Sequence, residues 1–285
     1  IRGETYLEIA EAGGGIQSTM RQTRALSESA LTERAAGSLA EMVTLGVTTV
    51  EAKSGYGLEL DAERRILRAY RRLAQRGPMR IVATFLGAHA VPPEYAGRRA
   101  DYVSLVVDQM IPSVAREQLA TFCDVFVERS AFSLDEARRV FRAAAAAGLR
   151  PKLHADQLTS AGGAELAAEV GAVSADHLEH ASERGIAELA RSGVVAVSLP
   201  LATLYLGQAP QRSRAFIDAG VPVAVATDFN PGSAPSTHLP LALLLACTLQ
   251  RMTPAEVLKG ATLFAARALA LDLRIGSLEA GKQGD

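Results

Sequence analysis

The sequence predicts an α/β fold, a (β/α)8 barrel of the TIM-like kind that lacks its first strand, and three observations carry that reading. Short apolar, β-branched runs alternate with Ala/Leu/Arg-rich stretches of helical period, the pattern of a parallel sheet. Each unit takes roughly 25 to 45 residues, room for one strand and one helix. No dinucleotide-binding glycine fingerprint follows the first run, and helices of similar weight after each strand favour a closed barrel over a doubly wound open sheet.

The strand candidates are Val47 to Ala52, Arg80 to Phe85, Asp124 to Glu128, Arg150 to His154, Ser174 to Leu178, Val194 to Leu199 and Pro222 to Thr227. Between them lie helical stretches such as Leu60 to Gln75, Leu134 to Ala147 and Gly162 to Val170, with glycine after them at Gly77, Gly148 and Gly171. A barrel needs one strand more, expected upstream of Ile1, and Thr5 to Leu45 would be the excursion and helix that follow it. The chain shows no internal repeat, linker or second domain, so residues 1–285 read as one barrel domain ending in the loop RIGSLEAGKQGD.

Composition narrows the function. With 285 residues, 48% hydrophobic and 21% charged, the chain can bury a sizeable core, which excludes disorder and fibres. Thirty basic against 31 acidic side chains leave a net charge of -1, so no global field gathers nucleic acid or an anionic membrane. Cys123 and Cys247 stand far apart and suit neither a disulfide framework nor a paired-cysteine zinc site, which fits a reducing cytoplasm and a packing role. No apolar run reaches the roughly 18 residues of a membrane helix, and the amino end is too polar for a signal peptide.

In a parallel barrel the reactive groups gather at the carboxyl ends of strands. Here those ends carry Lys53 and Tyr56, then His89, then His154, Asp156 and Gln157, then Asp176, His177 and His180, and last Asp228, Asn230 and Ser233. A single histidine after a strand is more often a structural hydrogen-bonder than a ligand, but three on one rim point to a site. Imidazole nitrogen with carboxylate oxygen suits Zn²⁺ or a similar ion, yet His154 and Asp228 are only two ligands; His177 or residues upstream would complete the set. On spacing alone, Asp228 and Asn230 could equally shape an Asx turn before Pro231 and Gly232.

Six strings, in order along nearly the whole chain, give a resemblance: GGGIQSTMRQTR at 13–24, TTVEAKSGYGL at 48–58, TFLGAHAVPPEY at 84–95, KLHADQ at 152–157, SADHLEH at 174–180 and ATDFNPGS at 226–233. They resemble the amidohydrolase superfamily, and within it the imidazolonepropionases of histidine degradation; KSGYGL, FLGAHA and DFNPG point to that branch. The resemblance implies a metal-dependent hydrolase that opens the ring of 4-imidazolone-5-propanoate to N-formimino-L-glutamate. It implies one divalent metal, zinc or else iron, on His154 and Asp228, with His177 beside the activated water and Asp228 as proton carrier. It places Tyr56, His89, Gln157, Asn230, Gly232 and Ser233 against the substrate. Gln157 stands where the family carries glutamate or glutamine, and because glutamine cannot serve as a base, proton removal falls on Asp228.

The family's His-x-His pair, its substrate-binding arginine and its companion small β-sandwich find no match in the sequence, so the chain resembles a barrel truncated at both ends and is expected to be inactive in isolation. The implied partners are a small anionic imidazolone and at most a second copy in a homodimer, with no nucleic acid and no membrane. The competing readings are another amidohydrolase, such as a cytosine or guanine deaminase, and a non-catalytic ligand-binding barrel. An anionic substrate also needs a cation, for which Arg21 and Arg24 are candidates against the commoner reading of solvated arginines on an exposed helix; milder roles fall to the rest: Lys53 as support for its turn, Gly13 to Gly15 as a tight loop, Asp176 as a group behind His177, His180 as outward-facing and His238 as a helix cap.

Overall fold

The computed structural model describes residues 15–129 and 131–284. Gly13, Gly14 and the start of the expected excursion at Thr5 lie outside the described residues. All seven strand candidates are strands: β1 (Thr49–Lys53), β2 (Arg80–Ala88), β3 (Phe122–Val127), β4 (Arg150–Ala155), β5 (Ser174–His177), β6 (Val195–Ser198) and β7 (Val223–Val225). They pair in parallel, each with its neighbour in sequence, so the sheet runs from β1 to β7 without a crossover. That order with a helix after each strand is the barrel's winding, open between β1 and β7.

The boundaries moved for local reasons. Val47 does not join β1, because its N–H is donated to the Met42 carbonyl at the end of the Glu28–Thr44 helix. The strand instead runs on to Lys53, whose partner in register is Thr84. Helices Leu60–Arg76, Leu134–Ala146 and Gly163–Glu169 sit where their periodicity puts them. Ser133 and Glu136 close a capping box on the second of these, and Gly148 and Gly171 take positive φ just past the ends of the last two. Gly77 does not do this: it is extended at φ -110°, and Pro78 after it forbids a further helical turn.

Strands β3, β5, β6 and β7 are almost wholly buried, as strands clad in helices on one side and filled on the other must be. Edge strand β1 is only half-buried along its length. A cavity of about 470 Å³ is bordered by both edge strands, through Val50 and Val225, and reaches the strand ends at His89, His154, His177 and Asp228. Among the described residues no helix is long and apolar enough to cross a membrane.

Candidate active site

Charged side chains fill the interior of the sheet where apolar ones would be the rule. Glu51 on β1, Asp124 on β3, Lys152 on β4 and Asp176 on β5 are inward residues of their strands, and the last three are buried. Lys53 gathers three of the carboxylates: its Nζ lies 2.8 Å from Glu51, 2.7 Å from Asp124 and 3.0 Å from Asp176. Lys152, wholly buried, pairs with the other oxygen of Glu51. Burial works against the Glu51 carboxylate, yet Lys152 and Lys53 outweigh it and hold Glu51 down at about 2. Burial likewise opposes the charge on Lys53, and Asp124, Asp176 and Glu51 together raise it well above the ordinary lysine value. Lys53 is therefore the hub of a buried ion network, a larger part than the turn support expected of it.

This network orients His154. Asp124 Oδ1 accepts from the His154 backbone N–H and lies 3.1 Å from the ring Nδ1. An ionised carboxylate only accepts, so Nδ1 carries the proton and Nε2 is left with its lone pair free. The His154 ring stands 5.4 Å from that of His177 and 6.1 Å from that of His89, which brings the three rim histidines together. His89 donates from Nδ1 to the Gly55 carbonyl at 3.0 Å and meets Tyr56 edge to face at 5.3 Å. Burial, with His154 beside it, pushes the His89 pKa down to about 4, so this ring is neutral at physiological pH.

His177 is held in an uncommon backbone conformation, φ 76°, with Leu178 at φ 65°. Gln211 donates to the His177 carbonyl at 2.6 Å and the Leu178 N–H bonds to Ala155, which keeps the strained corner closed. Burial alone would lower this histidine, but Glu179, Asp228 and Asp176 lift it to about 9. Asp228, three residues past the end of the last strand, takes φ 54°. Burial raises its carboxyl, against the pull of His177 and His154. Gln157 lines the same cavity at 9% exposure, while Asp156 beside it turns away to accept backbone N–H bonds from Ala161, Gly163 and Ala164.

The loop after β7 settles one question left open by spacing. Asn230 Oδ1 accepts from the N–H groups of Gly232 and Ser233, both at 2.8 Å, and Nδ2 donates to the Asp228 carbonyl at 2.6 Å. The Asx turn is formed, and Asn230 spends its amide on shaping it while still bordering the cavity with Gly232 and Ser233. Arg24 is spent as well, on the Gly57 and Leu58 carbonyls and on Glu94, and Arg21 is exposed outside the cavity lining. His180 is exposed, and His238 caps its helix by accepting from the Leu241 N–H.

Ligand-type atoms of Asp124, His154 and Asp176 lie within 4.8 Å of one another, a grouping able to hold a metal ion. Both carboxylates already share the Lys53 ammonium, and Asp124 is the one that backs His154. Glu51, Asp124 and Lys152 lie inside their strands, away from the strand ends where barrel chemistry is expected. The signal was present: a charge inside an apolar strand, at an inward position, needs a partner across the barrel.

Comparisons with known proteins place the chain in a family. The model of the amidohydrolase family matches residues 4–285. The chain is 53% identical to the imidazolonepropionase of Geobacillus kaustophilus and 52% identical to that of Myxococcus xanthus; each match covers all of this chain and, respectively, 67% and 68% of the relative. It thus spans about two thirds of the length of these curated relatives. Among solved structures it superposes on an adenosine deaminase from Xanthomonas campestris with bound zinc, at TM-score 0.71 and 20% identity, covering 100% of this chain and 66% of that one. A triazine hydrolase from Arthobacter aurescens matches at TM-score 0.74 and 18% identity, covering 90% and 62%. Those two likenesses bear on the fold alone. The site geometry, the family match and the relatives converge, and the chain belongs to the amidohydrolase family, in its imidazolonepropionase branch.

Proposed function

We propose that the protein adds water across the amide-like ring C–N bond of 4-imidazolone-5-propanoate and releases N-formimino-L-glutamate. The observation that supports this most is the meeting of His154, His177 and Asp228 with Tyr56 and His89 around one cavity. In this reading His154, through the Nε2 that Asp124 leaves free, and Asp228, through its carboxylate, hold a divalent metal, with zinc preferred to iron. When bound, the ion supplies Lewis acidity and lowers the pKa of water to about 7.

The remaining chemistry belongs to the chain's own residues. Asp228, with a carboxyl raised by burial, takes the proton of the attacking water and returns it to the ring nitrogen as the C–N bond breaks. His177, beside His154 and Asp228, faces the oxygen on which negative charge gathers as the carbonyl carbon becomes tetrahedral and donates a hydrogen bond to it. Gln157 can donate and accept hydrogen bonds but cannot take the proton, so it orients the ring. Tyr56 and His89 flank the substrate, and the Gly232–Ser233 turn borders the same cavity. The test is an assay of the full-length, metal-loaded enzyme on imidazolonepropanoate and on aminated pyrimidines and purines. Turnover of the imidazolone is expected; release of ammonia from the bases without it would move the protein to the deaminases.

A further inference from the structure

Glu63 lies in the first turn of the Leu60–Arg76 helix, is fully buried, and faces the loop Ser54 to Leu58 that leaves β1. Its Oε1 accepts from the N–H groups of Gly57 at 2.7 Å, Leu58 at 2.9 Å and Gly55 at 3.2 Å, and its Oε2 accepts from Gly55 at 2.9 Å. Three N–H groups of one short loop converging on one anion require an unusual backbone, and Gly55 and Leu58 take φ 98° and 53° to provide it. The wrap leaves no room for side chains: a Cβ on Gly55 would come within 2.7 Å of the Leu86 carbonyl, and one on Gly57 within 2.7 Å of the Ala62 Cβ. Arg24 clamps the same loop from outside by donating to the carbonyls of Gly57 and Leu58.

Two cavity-lining side chains depend on this loop. Tyr56 sits between the clamped glycines, and the Gly55 carbonyl receives the Nδ1–H of His89 at 3.0 Å. We infer that Glu63 is a positioning residue for substrate recognition, fixing Tyr56 in place and setting the His89 tautomer through Gly55. A carbonyl can only accept, so the bond dictates that Nδ1 carries the His89 proton and that Nε2 meets the substrate as an acceptor. A loop held by one carboxylate loses this preorganisation when the carboxylate becomes an amide, because the glutamine NH2 opposes backbone donors. The kinetic part of this inference rests on the proposed substrate contacts of Tyr56 and His89; the tautomer part does not.

The experiment compares Glu63→Gln and Glu63→Asp with the parent in the full-length, metal-loaded enzyme, the aspartate keeping the charge but withdrawing it by one methylene. Three readouts are taken: metal content, steady-state kinetics on imidazolonepropanoate, and the ring-nitrogen NMR signals of His89, assigned by their loss in His89→Ala. Glu63→Gln is expected to keep its metal, to raise KM by about tenfold with kcat changed by less than about threefold, and to lose the Nδ1–H signature of His89. Glu63→Asp is expected to fall between the two and carries the same readouts should the glutamine variant fail to fold. An unchanged His89 tautomer would overturn the inference, whatever the kinetics. A changed tautomer with unchanged KM would uphold the positioning and instead remove His89 from the substrate site.

Discussion

Nδ1 of His154 lies 3.1 Å from one oxygen of Asp124, while the other oxygen of that carboxylate lies 2.7 Å from Nζ of Lys53. A single buried carboxylate therefore fixes the ring orientation of the histidine and is itself fixed by a lysine. Asp124→Asn keeps the shape but removes the charge and turns one acceptor into a donor. The expected result is a metal affinity lowered by about 10- to 100-fold, the usual cost of losing a carboxylate behind a ligating histidine. Dialysis against a graded chelator followed by elemental analysis measures it; retention equal to the parent would show that His154 needs no such support.

The Glu51 and Lys152 pair allows a cleaner energetic test, because Lys152 has no exposed surface. Glu51→Gln strands a buried ammonium and should destabilise the fold by about 3–5 kcal/mol, whereas adding Lys152→Met should recover most of that loss. Urea unfolding of both single variants and the double variant closes the cycle. Simple additivity of the two single effects would mean that the residues do not act as a pair.

The same network sets an acid limit. Glu51 titrates near 2 in the folded chain against an ordinary value of 4.5, so between those values the unfolded chain binds the proton more readily. Its stabilisation is complete above about 4.5 and is lost as the pH falls towards 2. His177 has the opposite sign: raised from 6.5 to about 9, it stabilises fully below 6.5 and loses that contribution as the pH climbs to 9. The metal-free protein should therefore be most resistant to urea near pH 5–6, and Glu51→Gln should make the acid limb shallower without touching the alkaline one, the depressed Asp124 and Glu256 keeping the rest of the acid loss. A urea midpoint independent of pH from 2 to 5 in the parent would contradict the depressed Glu51.

How much of this was legible in the sequence depends on the kind of signal. The strands were readable because parallel strands covered on both faces leave long apolar, β-branched runs, and Val195–Ser198 and Val223–Val225 fall within the runs that announced them. The rim histidines were readable because barrel chemistry gathers at strand ends. Lys53 and Asp124 were not: they stand 71 residues apart, and their contact depends on curling β1 and β3 towards a common interior. Glu63 was hidden differently, since an acidic residue in the first turn of a helix is ordinary and only the fold shows that it faces four N–H···O contacts instead of water. Asn230 shows spacing at its limit, for the same residue lines the cavity and builds the turn.

Asp228 combines the two features that make the last prediction sharp. Its φ of 54° lies in the left-handed region that asparagine tolerates better than alanine, so Asp228→Asn removes the charge while leaving the backbone unstrained. The Ser233 hydroxyl at 3.4 Å and the Asn230 bond to the Asp228 carbonyl can both persist. Loss of the proton carrier should lower kcat by about 10²- to 10⁴-fold. If the carboxylate is also a metal ligand, bound metal should fall in the same variant. Melting temperature and far-ultraviolet circular dichroism should match the parent, which separates lost chemistry from lost structure. A variant that kept both its metal and its turnover would show that Asp228, despite its place at the end of β7 beside His177, is a turn residue and nothing more.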